Sequence, residues 1–291
     1  MLKKTLCLCL IFLCFTISPY NVSAEILFQE DFNTDAADVD RSVWTSPEGP
    51  EAFFGRTAIR NPNWPGPGDG RIKVSGGVAR LILSTFNPSA LEPGDSFWGS
   101  EIQTIQKFQP GEDGIAFESR VRSSAAIPAG VVSSMFCYAL TAIPPADTRD
   151  EIDFEFLSNL YLNADPQEVF LNRYVNESGG DGTPVRIAVP GLDLTEFNIF
   201  KIIWYPDHID WYVNGRLVYR ATGKIPSTPM NLRFNIWAPE SEWDLAYSQN
   251  FVPVANSSDN IDYIYEIDWV RVSRVKRLRG AATIPLLILL D

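Results

Sequence analysis

Between residues 25 and 272 apolar and polar positions alternate with period two in one short run after another, the pattern of strands that bury a single face. Residues 25–32 form the first run. Residues 74–85 give a Gly76-Gly77 turn and then a strand, and 98–122 give two more strands. Further runs fall at 130–138, 150–156, 169–174, 197–205, 209–213, 216–221, 231–237 and 264–272. Asn214-Gly215 lies between two of them, the strongest short-range hairpin signal. Residues 48–71 break the pattern, since Pro50, Pro62, Pro65 and Pro67 with glycines from Gly49 to Gly70 predict a loop. Repeats and long linkers are absent, so a single all-β sandwich is expected.

One run differs from the rest. In Asp150-Glu151-Ile152-Asp153-Phe154-Glu155-Phe156 the alternation puts Glu151, Asp153 and Glu155 on one face and Ile152, Phe154 and Phe156 on the other. Three carboxylates in a row repel one another. A solvated face or a cation site would be the plain explanations, but Ile152, Phe154 and Phe156 on the opposite face mark the strand as core. Glycoside hydrolysis uses two carboxyl groups flanking a sugar bond, one as nucleophile or base and one kept protonated as acid. The outer two α-carbons of such a strand are ~13 Å apart. Side chains leaning together on a concave sheet would approach the ~5–5.5 Å of a retaining enzyme. Asp153 lies between, placed to hydrogen-bond one glutamate and separate the two pKa values.

The segment from Glu151 to Leu157 resembles the catalytic strand of glycoside hydrolase family 16. The resemblance implies Glu151 as nucleophile, Asp153 as its helper and Glu155 as acid/base. It spans about residues 25–272 and implies a concanavalin A-like jelly roll of two curved antiparallel sheets whose concave face binds a linear β-glucan. Many laminarinases of the family carry one extra residue before the last Glu, whereas the unbulged spacing here is similar to that of lichenases and xyloglucan-modifying members. The bacterial lichenases, β-1,3-1,4-glucanases, are the most similar group. They imply sugar-binding roles for Glu101, for Asn172 and Tyr174, and for Trp237 and Trp243, which follow a lichenase-like Pro226-Ser-Thr-Pro229. An exposed charge for Glu101 and core packing for either tryptophan are the alternatives. Residues 130–138 resemble the lichenase strand before the catalytic one, with small side chains that let a saccharide approach.

The resemblance also implies a structural calcium at Asp268, with Glu30 and Gly77 as further ligands, against the alternative of a lone surface carboxylate. It implies no cofactor for catalysis. Two positions depart from the lichenase pattern: Arg149 stands where Trp is usual and Ser158 where Gly is usual. Laminarin, xyloglucan and algal galactan therefore stay open as substrates, with hydrolysis or transglycosylation. A non-catalytic lectin-like protein is the alternative class.

Composition narrows the remaining possibilities. Lys3 and Lys4, the apolar run 6–17 and Val22-Ser23-Ala24 read as a secretory signal over residues 1–24, since the run is shorter than the ~20 residues a membrane span needs. Cys7, Cys9 and Cys14 fall inside it, which leaves Cys137 without a disulfide partner and, in its apolar run, a buried small hydrophobe. With one histidine, His208, a Ser-His-Asp triad or histidine-rich metal site has little to build on. The 36 acidic against 24 basic residues argue against nucleic acid or an anionic membrane as partner, and suit a neutral polysaccharide. The expectation is a secreted monomer, extracellular or periplasmic, with a catalytic domain over 25–273. A basic and apolar tail, 274–291, is expected to be disordered.

Overall fold

The computed structural model describes residues 25–47, 53–59, 71–143 and 146–276. The expected leader, 1–24, and residues 277–291 of the tail lie outside the described residues. In chain order the first strands are β1 (Ile26–Glu30), β2 (Trp44–Thr45), β3 (Phe53–Phe54), β4 (Thr57–Ala58), β5 (Ile72–Val74) and β6 (Ala79–Ser84). They are followed by β7 (Phe97–Trp98), β8 (Ser100–Thr104), β9 (Ile115–Ser123), β10 (Val132–Ile143), β11 (Ala146–Leu157) and β12 (Gln167–Glu177). The last are β13 (Val185–Val189), β14 (Asn198–Trp204), β15 (Ile209–Val213), β16 (Arg216–Ala221), β17 (Asn231–Trp237) and β18 (Asp262–Arg274).

These strands form two sheets. One has the order β13-β12-β11-β10-β17-β8-β2, and the carboxylate strand β11 is near its centre. The other runs β16-β15-β14-β9-β18-β6-β7-β4-β3, with β1 added to β18 and β5 to β6. Sheet pairing is antiparallel as expected except at β4 and β7, which run parallel. That exception comes from a part of the expected loop that folds instead: β3 and β4 make a small hairpin within 48–71. Gly55 turns it at φ +49°, and a Cβ there would sit 2.7 Å from the Ala238 carbonyl oxygen and 2.9 Å from the Trp237 ring, so only glycine fits. At the other end β18 outruns the expected boundary at 273. The Arg274 N–H donates to the Glu25 carbonyl at 2.9 Å and the Val275 N–H to the Gly114 carbonyl at 3.0 Å.

The core lies between the sheets, and β11 is fastened to it from behind. Ile152, Phe154 and Phe156 are buried, as is Cys137 beside them on β10. The Phe154 ring meets Phe200 of β14 edge-on at 5.2 Å, and Phe156 meets the same ring at 4.5 Å. From β15, the buried Trp211 donates its indole N–H to the Asp153 carbonyl at 3.0 Å. A second fastening sits just upstream of the carboxylates. The ladder between β11 and β12 slips between Arg149 and Glu151, and the Asp150 carboxylate takes up the Asn176 N–H at 2.9 Å. Its other oxygen accepts the N–H groups of Ser227 and Thr228 at 3.2 and 3.0 Å.

The Trp211 bond ties the carboxylate strand to the opposite sheet. Trp211→Phe keeps a ring but leaves the Asp153 carbonyl without that donor, an expected loss of about 1–3 kcal/mol. Urea unfolding should show a lower midpoint at unchanged m-value. An unaltered midpoint would mean that the bond contributes nothing.

Candidate active site

The ladder between β10 and β11 runs unbroken from Val132 opposite Leu157 to Ile143 opposite Ala146. Glu151, Asp153 and Glu155 therefore keep one face, and they line a cleft of about 910 Å³. That is near the top of the ~300–1,000 Å³ usual for small-molecule sites, room for an extended ligand. Cross-strand neighbours give each carboxylate a distinct setting. Glu151 lies between Tyr138 of β10 and Tyr174 of β12, Asp153 between Phe136 and Asn172, and Glu155 between Ser134 and Phe170. On the next strand, β17, Arg233 pairs opposite Phe136 and Asn235 opposite Ser134.

Burial in this pleat disfavours charge on all three acids, but unequally. Asp153 is pushed well above the carboxylate range, first by desolvation and then by the charges of Glu151 and Glu155. It is hydrogen-bonded to Glu151. Glu151 is pushed up to about 7 by burial, against the pull of Arg149, Arg233 and the Asp153 hydrogen bond. Glu155 is pushed up to about 8 by burial and by the Glu151 charge, with Arg149 pulling the other way. As pH rises, Glu151 ionises while Glu155 still holds its proton, which suits one group to attack and the other to donate.

The residues expected to bind sugar divide. Trp237 and Trp243 are partly exposed on the cleft wall as expected, stacked at 5.8 Å and 26°. Phe54 packs on Trp237 at 5.9 Å and Phe170 on Trp243 at 5.6 Å, so the wall is a four-ring surface. Apolar ring faces of this kind complement the C–H faces of pyranoses. Glu101 is a correction: it is 1% exposed, neither an exposed charge nor on the cleft wall. Its two oxygens take Arg233 Nη1 and Asn235 Nδ2, each at 3.1 Å, because β8 pairs edge to edge with β17 and sets Glu101 directly opposite Asn235 on the same face of the sheet.

Asn172 and Tyr174 do reach the cleft lining, but with their polar groups engaged. Asn172 Nδ2 donates to the Tyr174 hydroxyl at 2.9 Å and to the Asp181 carbonyl at 3.1 Å, and its Oδ1 accepts the Thr183 N–H at 2.8 Å. Asn172 thus holds the 181–183 loop. The Tyr174 ring carries the Arg149 guanidinium at 3.9 Å, so one of the two faces expected to meet sugar is covered. Arg149 and Arg233 are functional candidates missed in the sequence. Arg149 Nε is 2.9 Å from Glu151 Oε2, and Arg233 lies over the Tyr138 ring at 4.3 Å. Carrying the period-two count one step back from Glu151 reaches Arg149, a signal that was present; Arg233 depends on cross-strand register, which no local pattern states.

The ligands implied for calcium lie along one edge of β18. β6 and β1 follow each other along one edge of β18, pairing Ala79 with Ile267 and Glu30 with Val270, so Gly77, Glu30 and Asp268 do come into one region. Yet Asp268 is ion-paired with Arg120, and Glu30 Oε1 accepts the Phe32 N–H at 2.9 Å. Among the described residues no group of three His, Cys, Asp or Glu side chains is placed to hold a metal ion. A carboxylate already neutralised by a guanidinium does not fit the oxygen-rich shell that calcium takes.

Residues 69–271 match the model of Glycosyl hydrolases family 16. The endo-1,3-1,4-beta-glycanase ExoK of Rhizobium meliloti (strain 1021) is 30% identical over 221 residues, which cover 75% of this chain and 70% of that protein. A beta-glucanase of Acetivibrio thermocellus is 38% identical over 128 residues, 42% of this chain; the match spans 35% of that relative. Among solved structures, a prokaryotic β-1,3-1,4-glucanase (lichenase) derived from a mouse hindgut metagenome superposes with a TM-score of 0.62 at 26% identity. The superposition covers 85% of this chain and 99% of that one. The jelly-roll sandwich, the carboxylate strand at its centre and the span of these matches agree, and the chain belongs to family 16 of the glycosyl hydrolases.

Proposed function

We propose that the chain is a secreted, retaining endo-β-glucanase that hydrolyses β-1,3-1,4-glucan. The observation that carries this reading is the pair Glu151 and Glu155 on one face of the cleft, flanking Asp153. In the proposed reaction Glu155 protonates the glycosidic oxygen as Glu151 attacks the anomeric carbon and the C–O bond breaks. Asp153 holds the Glu151 carboxylate through their hydrogen bond. Water then opens the glycosyl-enzyme, giving its proton to Glu155, and configuration is retained. The names of the relatives and the unbulged carboxylate spacing support the mixed-linkage substrate. The four-ring wall supports binding of a sugar chain. The basic and apolar pattern of residues 1–24 supports export.

The reading is tested by reducing-sugar release from barley β-glucan, laminarin, xyloglucan, agarose and carrageenan. Activity is expected on the mixed-linkage glucan. Glu151→Gln should lower kcat by roughly 10³-fold or more while glucan binding persists. Binding by both proteins without turnover by either would leave a lectin-like role in its place.

For the wild type, kcat/KM should be bell-shaped in pH. The acid limb near 7 follows ionisation of the pair's first carboxyl, and the alkaline limb near 8 follows loss of its last proton. With a nitrophenyl glycoside, whose leaving group needs no proton, Glu155→Gln should keep the acid limb and lose the alkaline one.

Stability should respond in the same direction. A carboxyl whose folded pKa is raised stabilises the fold while neutral, an advantage present below its unfolded value of about 4.3 and lost as pH rises through the folded one. For Glu155 that window closes at about 8. The Tm of Glu155→Gln relative to wild type should therefore be higher at pH 9 than at pH 5, measured by thermal denaturation. An equal difference at both values would count against a desolvated carboxyl there.

A further inference from the structure

Arg149 is the fourth cleft-lining side chain on β11, two residues before Glu151. Its Nε is 2.9 Å from Glu151 Oε2, an ion pair by distance without hydrogen-bond alignment of that N–H, with the two side chains 29% and 16% exposed. The guanidinium carbon also sits 3.9 Å from the ring centroid of Tyr174, the cross-strand neighbour of Glu151 on β12. Tyr174 is in turn held through its hydroxyl by Asn172. Arg149 is thus braced on a ring that is itself tied down, and a braced arginine loses little further freedom in holding a carboxylate.

The other charged and titratable groups around Glu151 do not duplicate this contact. Asp153 and Glu155 on its own strand are acids, and Tyr138 of β10 faces it as a phenol. Glu101 of β8 adds like charge, and Arg233 of β17 is paired with Glu101 at 3.1 Å and stacked on Tyr138. Of the two cations that act on Glu151, only Arg149 forms an ion pair with it. Without that pair the cleft holds three clustered acids whose burial favours protonation, and a protonated Glu151 cannot attack.

We propose that Arg149 is a positioning residue: braced on the Tyr174 ring, its guanidinium fixes the orientation of the Glu151 carboxylate and keeps it an anion ready to attack. This rests on the hydrolase reading for the role of Glu151, but the contact itself can be tested without turnover. It also gives a purpose to the arginine that stands where the resembling lichenases usually carry tryptophan, since an indole offers Glu151 no charge.

Two variants separate charge from packing. Arg149→Met keeps length and apolar contact with Tyr174 but removes the charge, and Arg149→Lys keeps the charge but loses the guanidinium. The Glu151 carboxyl carbon is followed by ¹³C NMR through a pH titration and assigned with Glu151→Gln, and kcat/KM is measured over the same range. In Arg149→Met the Glu151 titration and the acid limb should both move up by about one pH unit or more, so that kcat/KM falls by about tenfold at pH 6 and only about twofold at pH 8. Arg149→Lys should return both most of the way. A Glu151 titration unchanged in Arg149→Met, or an equal loss of rate at every pH with both limbs in place, would overturn the proposal, since lost packing alone gives that result. A wild type without turnover would instead overturn the hydrolase reading, and the NMR titration would still decide the role of Arg149.

Discussion

The site depends on the burial of one face of one strand. Ile152, Phe154 and Phe156 point into the space between the sheets against Phe200 and its neighbours, each worth about 1.5–3 kcal/mol when fully buried. Because a strand's side chains alternate strictly, a one-residue slip would exchange the two faces and put three acids into that core. The apolar face is therefore what commits Arg149, Glu151, Asp153 and Glu155 to the cleft. The Trp211 indole bond to the Asp153 carbonyl and the three N–H groups gathered by Asp150 hold this register at two points, one behind the acids and one just upstream.

The electrostatics follow from the same packing. Rows of side chains from β12, β10 and β17 flank the acids, so each is short of water and each resists ionisation. Position along the strand then decides the order in which protons leave. Glu151 has an ion pair and a hydrogen bond to favour its charge, whereas Glu155, between Ser134 and Phe170, has neither. Two residues of one type on one strand thus acquire different electrostatic settings without any difference in their own chemistry.

The cleft wall is built by a different route. Trp237 ends β17, Trp243 packs edge-on against Phe170 of β12, and Phe54 arrives from a hairpin far earlier in the chain that meets the wall at Gly55. The two tryptophan rings stack on each other, with Phe54 tilted against Trp237 and the buried Phe170 edge-on to Trp243. Beside them, across the β8–β17 pair, the Glu101 carboxylate takes Arg233 and Asn235, which ties the two strands together at this edge of the cleft sheet.

Much of this was legible in the chain alone. Period-two alternation located the strands, and the acid and apolar faces of 150–156 marked the carboxylates, because a pleat's geometry is local and any residue can be assigned its face by counting. The tryptophans of the cleft were legible from the text around them. Tertiary structure alone decided which strands lie side by side, and hence that Arg149 stacks on Tyr174, that Asn172 spends its amide on the 181–183 loop, that Glu101 is buried, and that Arg120 neutralises Asp268. Those are contacts between residues distant in sequence. Their formation depends on sheet order and register, which the burial of the whole core settles at once and no single stretch encodes.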